Sequence, residues 1–247
     1  MVADTICVCD AWTVVCEPFF QWVSQDSFAD ARPPYERLRT QLVADVEPYE
    51  LMKPRLLYAS HQGLCYFAHL MGYRLVRDAA VHPLNAAFLR AYMDEEGSPT
   101  LKPVPGIDLD AYKSELIARF SNPSVRDTVP RLCNESCDRI PKWLVPVIVD
   151  QLAAGRSMAL SAAIVANWVR YAEGTDELGQ PIDVADRLKY PVMQNAAGFA
   201  ADRNSFLQDC DRFGDLVDEP TFARAYDRAL ELLHTVGARA TLVELLA

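Results

Sequence analysis

The chain runs to 247 residues, 51% of them hydrophobic, which is enough to bury a core without disulfide or metal staples. Its 34 acidic residues against 24 basic ones leave a formal charge of −10, which repels nucleic-acid phosphates rather than neutralising them. Seven cysteines, an odd number, and no basic-then-apolar export signal at the start read as free thiols in a reducing cytoplasm.

In chain order, Trp12 to Val23 (WTVVCEPFFQWV) is rich in β-branched and aromatic residues and predicts one or two short strands. From Asp45 onward the periodicity is helical. Asp45 as N-cap and Pro48 in the first turn open a helix reaching about Tyr73, with Gly72 near its end. A second helix covers Leu84 to Asp94 and stops before Gly97. Pro99 to Gly106 (PTLKPVPG) reads as an extended loop. Asp108 or Asp110 caps a helix through Phe120, and Asn122-Pro123 turns the chain into another from about Val125 to Cys133. Further helices are predicted over Lys142 to Ala154, Ser157 to Glu173, Phe199 to Asp209, Pro220 to Leu233 and Ala238 to Leu246. Leu144 to Val169 is the most apolar region, but Asp150, Arg156 and Asn167 interrupt it, so buried helices are expected and no membrane span. The fold class is therefore mainly α: a multi-helix domain over 46–247 behind a short extended or β segment over 1–45. None of the ten glycines builds G-x-G-x-x-G after a strand, so neither a Rossmann sheet nor a dinucleotide site is expected.

One stretch concentrates chemistry, Tyr49 to His61 (YELMKPRLLYASH). At about 100° per residue, Glu50, Lys53, Tyr58 and His61 fall within a sector of roughly 140°. A lysine on a partly apolar face has its charged form disfavoured and can then take a proton from an alcohol. By spacing alone the set also fits a solubilising Glu–Lys pair beside a satisfied histidine.

The order of segments narrows this. VVCEPFFQWV, PYELMKPRLLYASHQ, PTLKPVPGIDLDAY, RFSNPSVRDTVPRLC, SCDRIPKWLVPVI, ALSAAIVANWVRYAEG, FGDL and LHTVGARATL together resemble the mannitol dehydrogenase family, from about Trp12 to Leu246. The resemblance implies a zinc-independent oxidoreductase that moves hydride between NAD and C2 of a hexitol or its ketose, mannitol and fructose being the usual pair. It matches Lys53 to the general acid/base and His61 to the histidine that helps hold the carbonyl oxygen. Glu50 matches the acid on the proton's path to solvent. Arg131 and one or both of Arg139 and Lys142 match basic positions lining the polyol site.

Three departures accompany the resemblance. Tyr58 stands where the family has an asparagine that helps polarise the carbonyl, and Pro54 stands where it has an aliphatic residue. A mid-helix proline removes a backbone bond and crowds the carbonyl four residues back, here Glu50's, at a cost of about 3 kcal/mol or more. The nucleotide-binding domain that precedes Trp12 in relatives is not expected in this chain, so it would be a missing partner alongside the polyol or ketose. Two functions follow: half of a polyol 2-dehydrogenase, monomeric, or a catalytically impaired relative that binds a polyol or a protein.

The remaining candidates are plainer. Cys133-x3-Cys137 and Cys7-x-Cys9 lack a histidine at zinc-site spacing and read as buried or incidental thiols, with no metal expected. His69 and His82 read as surface or rim residues, and Trp143 and Trp168 as core.

Overall fold

A computed structural model describes residues 5, 7, 9–12, 14, 16, 17, 19–198 and 202–247. Backbone contacts divide the chain into two compact units, Met1–Val46 and Glu47–Ala247. In the first, strands β1 (Val23–Gln25) and β2 (Gln41–Val43) pair in parallel, Val23 opposite Gln41 and Gln25 opposite Val43. The crossover carries a 3-10 turn, Tyr35–Leu38, whose Tyr35 ring meets Trp22 at 5.7 Å. Of the strand region predicted from Trp12, only Val23 enters a strand; Thr13, Val15 and Pro18 lie outside the described residues. Strand propensity is realised where a partner runs alongside, and β2 runs alongside only Val23 to Gln25.

The second unit is helical: α1 (Glu47–Met52), α2 (Ala59–Leu70), α3 (Val76–Ala80), α4 (Pro83–Ala91), α5 (Leu109–Phe120), α6 (Val129–Cys133), α7 (Ser136–Trp143), α8 (Val145–Ala153), α9 (Ala159–Ala172), α10 (Lys189–Ala197), α11 (Cys210–Phe213), α12 (Pro220–Thr235) and α13 (Gly237–Leu245). Among the described residues the two-stranded pair is the only sheet. From Leu160 to Ala172 every residue of α9 except Arg170 is buried, the pattern of a helix apolar all round. α12 packs along it and α2 crosses it. At the crossing Gly63 permits close approach, since a Cβ there would lie 3.1 Å from Ile164 Cδ1. No helix of the described residues is long and apolar enough to cross a membrane.

N-cap side chains fix the starts of α5 and α6. The Asp108 carboxylate accepts from the Asp110 and Ala111 N–H groups, and so fixes the start of α5. α6 begins at Val129 rather than Val125, because Thr128 caps it and also bridges to Leu75. The helix predicted over Lys142 to Ala154 forms as α8, Val145–Ala153, and α7 precedes it, starting at Ser136 after Glu135 adopts a left-handed φ of 53°. The predicted helix over 199–209 does not form across 202–208. There the Asp202 carboxylate takes the Asn204 N–H and the Gln208 amide instead, local turn chemistry that competes with helix. α3, α10 and α11 have no counterpart among the predicted helices, and α7 meets one only at Lys142 and Trp143.

Two turns are wound wider than an α-helix, Lys53–Tyr58 and Tyr92–Gly97. Pro54 does not stop the helix. α1, the first wide turn and α2 follow one another with helical backbone at both junctions, Met52 at φ −57° and ψ −44° and Ala59 at φ −65° and ψ −35°. His69 is a correction: it is buried on α2, edge-on to Tyr171 at 5.1 Å, and burial, then Arg74, push its imidazole down to about 4.

Candidate functional site

The wide turn sets the face on which the site forms. Its Ala59 N–H reaches the Pro54 carbonyl, five residues back. An i→i+5 turn advances by roughly 80° per residue against about 100° in an α-helix. Over the five steps from Lys53 to Tyr58 the angular separation drops from about 140° to about 40°. Lys53, Tyr58 and His61 then share a sector of about 60°. Distances agree: the Lys53 ammonium lies 5.4 Å from the centre of the Tyr58 ring, and the Tyr58 and His61 rings are 6.3 Å apart.

Three other elements bring side chains to this face. From α7, Trp143 packs on Tyr58 at 4.6 Å, and the Arg139 guanidinium lies over Trp143 at 5.5 Å. Arg139 also donates to the Leu132 carbonyl at 3.0 Å, which ties α7 to α6. From the end of α5, Phe120 meets His61 at 4.9 Å. Arg131 is held by a two-pronged pair with Asp127, and Asp127, Arg131 and Arg139 all bear electrostatically on the His61 imidazole. Lys53, Tyr58, His61, Arg131 and Arg139 are thus brought to one region. Lys142 is not joined to it by the described contacts; it is exposed and acts on Asp138, whose main partner is Arg187. Glu50 is exposed one turn ahead of Lys53.

Electrostatics separate the two polar groups of the helix. Burial, with Arg131, Arg139 and Arg119 adding to it against Asp127, pushes His61 down to about 4. It is neutral at neutral pH and can donate one hydrogen bond. An NMR titration is expected to find His61 neutral down to about pH 4; a midpoint at the ordinary 6.5 or so would remove burial as the controlling influence. Lys53 is exposed, so the partly apolar setting expected for it is not formed by this unit. Trp143 was expected in the core, but it is half-buried and forms the aromatic wall against Tyr58. Asp127 and Phe120 were not anticipated, although the four-residue spacing of Asp127 and Arg131 on the sequence signals a pair.

A second polar cluster does not suit a metal. Glu135, Cys137 and Asp138 bring ligand atoms within 4.8 Å of one another. The Arg187 guanidinium already occupies Asp138. Burial and a hydrogen bond to Asp186 push the Cys137 thiol up to about 12, away from the thiolate a metal needs. Cys65, Cys133 and Cys137 are buried and free, and Cys7, Cys9 and Cys16 are exposed and free.

Comparison with known proteins decides the relationship. The model of the mannitol dehydrogenase C-terminal domain matches residues 45–234, more than half of the chain. The chain belongs to the mannitol dehydrogenase family. It is 36% identical to mannitol dehydrogenase 2 of Saccharomyces cerevisiae over 99% of this chain and 49% of that protein. It is 37% identical to a mannitol 2-dehydrogenase of Phaeosphaeria nodorum over 95% of this chain and 42% of that one. Among solved structures, the Pseudomonas fluorescens mannitol 2-dehydrogenase in ternary complex with NAD and D-mannitol superposes with a TM-score of 0.89 and 40% identity, over 96% of this chain and 48% of that one. The chain spans about half the length of the curated relatives it matches. As a member of the mannitol dehydrogenase family it carries the helical fold expected of the C-terminal part, and its Lys53–His61 segment lies inside the matched region.

Proposed function

We propose that this chain supplies the substrate side of a polyol 2-dehydrogenase, an NAD-linked oxidoreductase interconverting a hexitol such as mannitol and its ketose. Lys53 is the acid/base that exchanges the proton of the C2 hydroxyl. His61, neutral, donates to the same oxygen. Glu50 lies on the proton's way to solvent, and Arg131 and Arg139 take the remaining hydroxyls, with Lys142 at the margin. The observation that carries this reading is the gathering of Lys53, Tyr58, His61, Arg131 and Arg139 from three separate elements in a chain of this family. Long donors suit a substrate made of hydroxyls, since each can satisfy one oxygen.

The segment leading into α1 does not fit the cofactor's pyrophosphate. The segment between β2 and α1, Ala44-Asp45-Val46, holds no glycine, and the first turn of α1 carries Glu47 and Glu50, which repel phosphate. NAD, which accepts the hydride, must therefore be held by other residues. A lysine base requires no zinc, and the exposed free thiols suit a reducing, cytoplasmic setting.

Joining this chain to the nucleotide-binding part of a Saccharomyces mannitol dehydrogenase tests the reading. Mannitol-dependent NAD reduction and fructose-dependent NADH oxidation are expected, slow but measurable. NADH binding without turnover of any hexitol or ketose would instead favour the impaired, binding-only relative.

A further inference from the structure

The two wide turns of the helical unit face each other. Tyr92, fully buried at the start of the second, donates its hydroxyl to the Arg55 carbonyl of the first at 3.0 Å. Arg55 in turn donates to the Thr100 carbonyl at 2.9 Å and to Asp150 at 2.5 Å. Gly97 ends the second turn, and a Cβ there would lie 2.9 Å from Leu56 Cδ2 and 3.2 Å from the Arg55 oxygen. The far side of the second turn is pinned as well. Gln151 donates to the carbonyls of Glu95 and Glu96 at 3.0 and 2.8 Å, and the Glu96 carboxylate accepts the Leu160 and Ser161 N–H groups at 2.7 Å each.

A turn closed five residues back holds one residue more than an α-turn, so one carbonyl is left without an N–H from its own helix. In the interior such a group needs another donor. The Arg55 carbonyl comes next after the Pro54 carbonyl that closes the turn, and it accepts from the Tyr92 hydroxyl. Were the turn to relax to α geometry, Lys53 would rotate by about 100° relative to Tyr58 and leave its ring.

We propose that Tyr92 is a positioning residue for Lys53: by taking the Arg55 carbonyl it holds the wide turn that lays Lys53 over the Tyr58 ring. Its bearing on catalysis rests on the reading of Lys53 as the acid/base; its bearing on geometry does not. Gly97 belongs to the same device, because only a residue without a side chain lets the second turn come close enough for the Tyr92 hydroxyl to reach.

The experiment uses the full chain with 13C-labelled lysine. Lys53 is assigned by its loss in Lys53→Arg, and its ε-methylene signal is expected upfield of the other lysines because of the Tyr58 ring current. Tyr58→Leu should abolish that displacement. Tyr92→Phe should remove most of it while the methyl signals of Ile164 and Val165 in the core stay in place. Gly97→Ala, which pushes on Leu56 and on the Arg55 carbonyl, should act in the same direction and decides the matter if Tyr92→Phe does not fold. A Lys53 signal still displaced in both folded variants, or never displaced in the unaltered chain, overturns the proposal. No turnover enters this measurement, so it stands apart from the mannitol and fructose assays that test the catalytic reading.

Discussion

In the enzyme assembled from this chain and a relative's nucleotide-binding part, Tyr58→Asn is expected to raise kcat by ~10²–10³, with little change in KM. An amide at this point on the helix donates to the carbonyl oxygen as negative charge develops on it, and such a contact is stronger in the transition state than with bound substrate. Tyr58 cannot do the same from where it lies. Its ring is packed 4.6 Å from Trp143 and has the Lys53 ammonium 5.4 Å from its centre, so the position serves as an aromatic wall. The substitution carries a cost. Losing the ring pair forfeits about 0.5–1.5 kcal/mol, and losing the contact with Lys53 forfeits about 0.5–1 kcal/mol at so exposed a site. Stability should therefore fall while turnover rises, and urea unfolding beside steady-state kinetics separates the two. Lys53→Ala in either background should remove the activity. If the unaltered assembly already turns over like an intact relative and Tyr58→Asn adds nothing, Tyr58 is a tolerated replacement and the oxyanion role is wrong.

What could be read beforehand was what is local. The Asp108 cap, the proline at the start of α12 and the apolar run of α9 are encoded within a turn or two of where they act, and each was anticipated to within a few residues. The failures are tertiary. Pro54 reads in isolation as a penalty on the Glu50 carbonyl, because the donor that accommodates the altered turn, Tyr92, lies 37 positions beyond Arg55. His69 reads as a rim residue until Tyr171 is packed against it. Trp143 has the composition of a core residue, and only the approach of Tyr58 makes it a wall of the site. Arg131 and Arg139 were found through family resemblance. Nothing in their own spacing points to His61, which they meet only because α6 and α7 fold back beside α2.

The second large effect falls on stability, at Glu96. This side chain is almost fully buried, and its carboxylate caps α9, accepting the Leu160 and Ser161 N–H groups and the Ser161 hydroxyl. Burial outweighs these bonds and raises its pKa to about 7. Because the folded value lies above the unfolded one of about 4.5, the fold binds the proton more tightly. The resulting stability is fully present below the unfolded value and is lost as pH rises to about 7, with no further change above that. Glu96→Gln removes this dependence and sets an amide NH2 against a backbone N–H. A protonated carboxyl can still accept there through its hydroxyl oxygen, but an amide nitrogen cannot, so the substitution costs about 1–3 kcal/mol at pH 5. Between pH 5 and pH 8 the unaltered protein should lose on the order of 2–3 kcal/mol relative to Glu96→Gln, enough to remove or reverse the gap. His61 and His69, both held near 4, make each protein less stable as pH falls from about 6.5, but they act equally on both and cancel in the difference. Urea unfolding of the pair at intervals from pH 5 to 8 measures the gap directly. Two parallel curves would mean that Glu96 does not titrate in this range and that its bonds to α9, rather than its burial, set its charge.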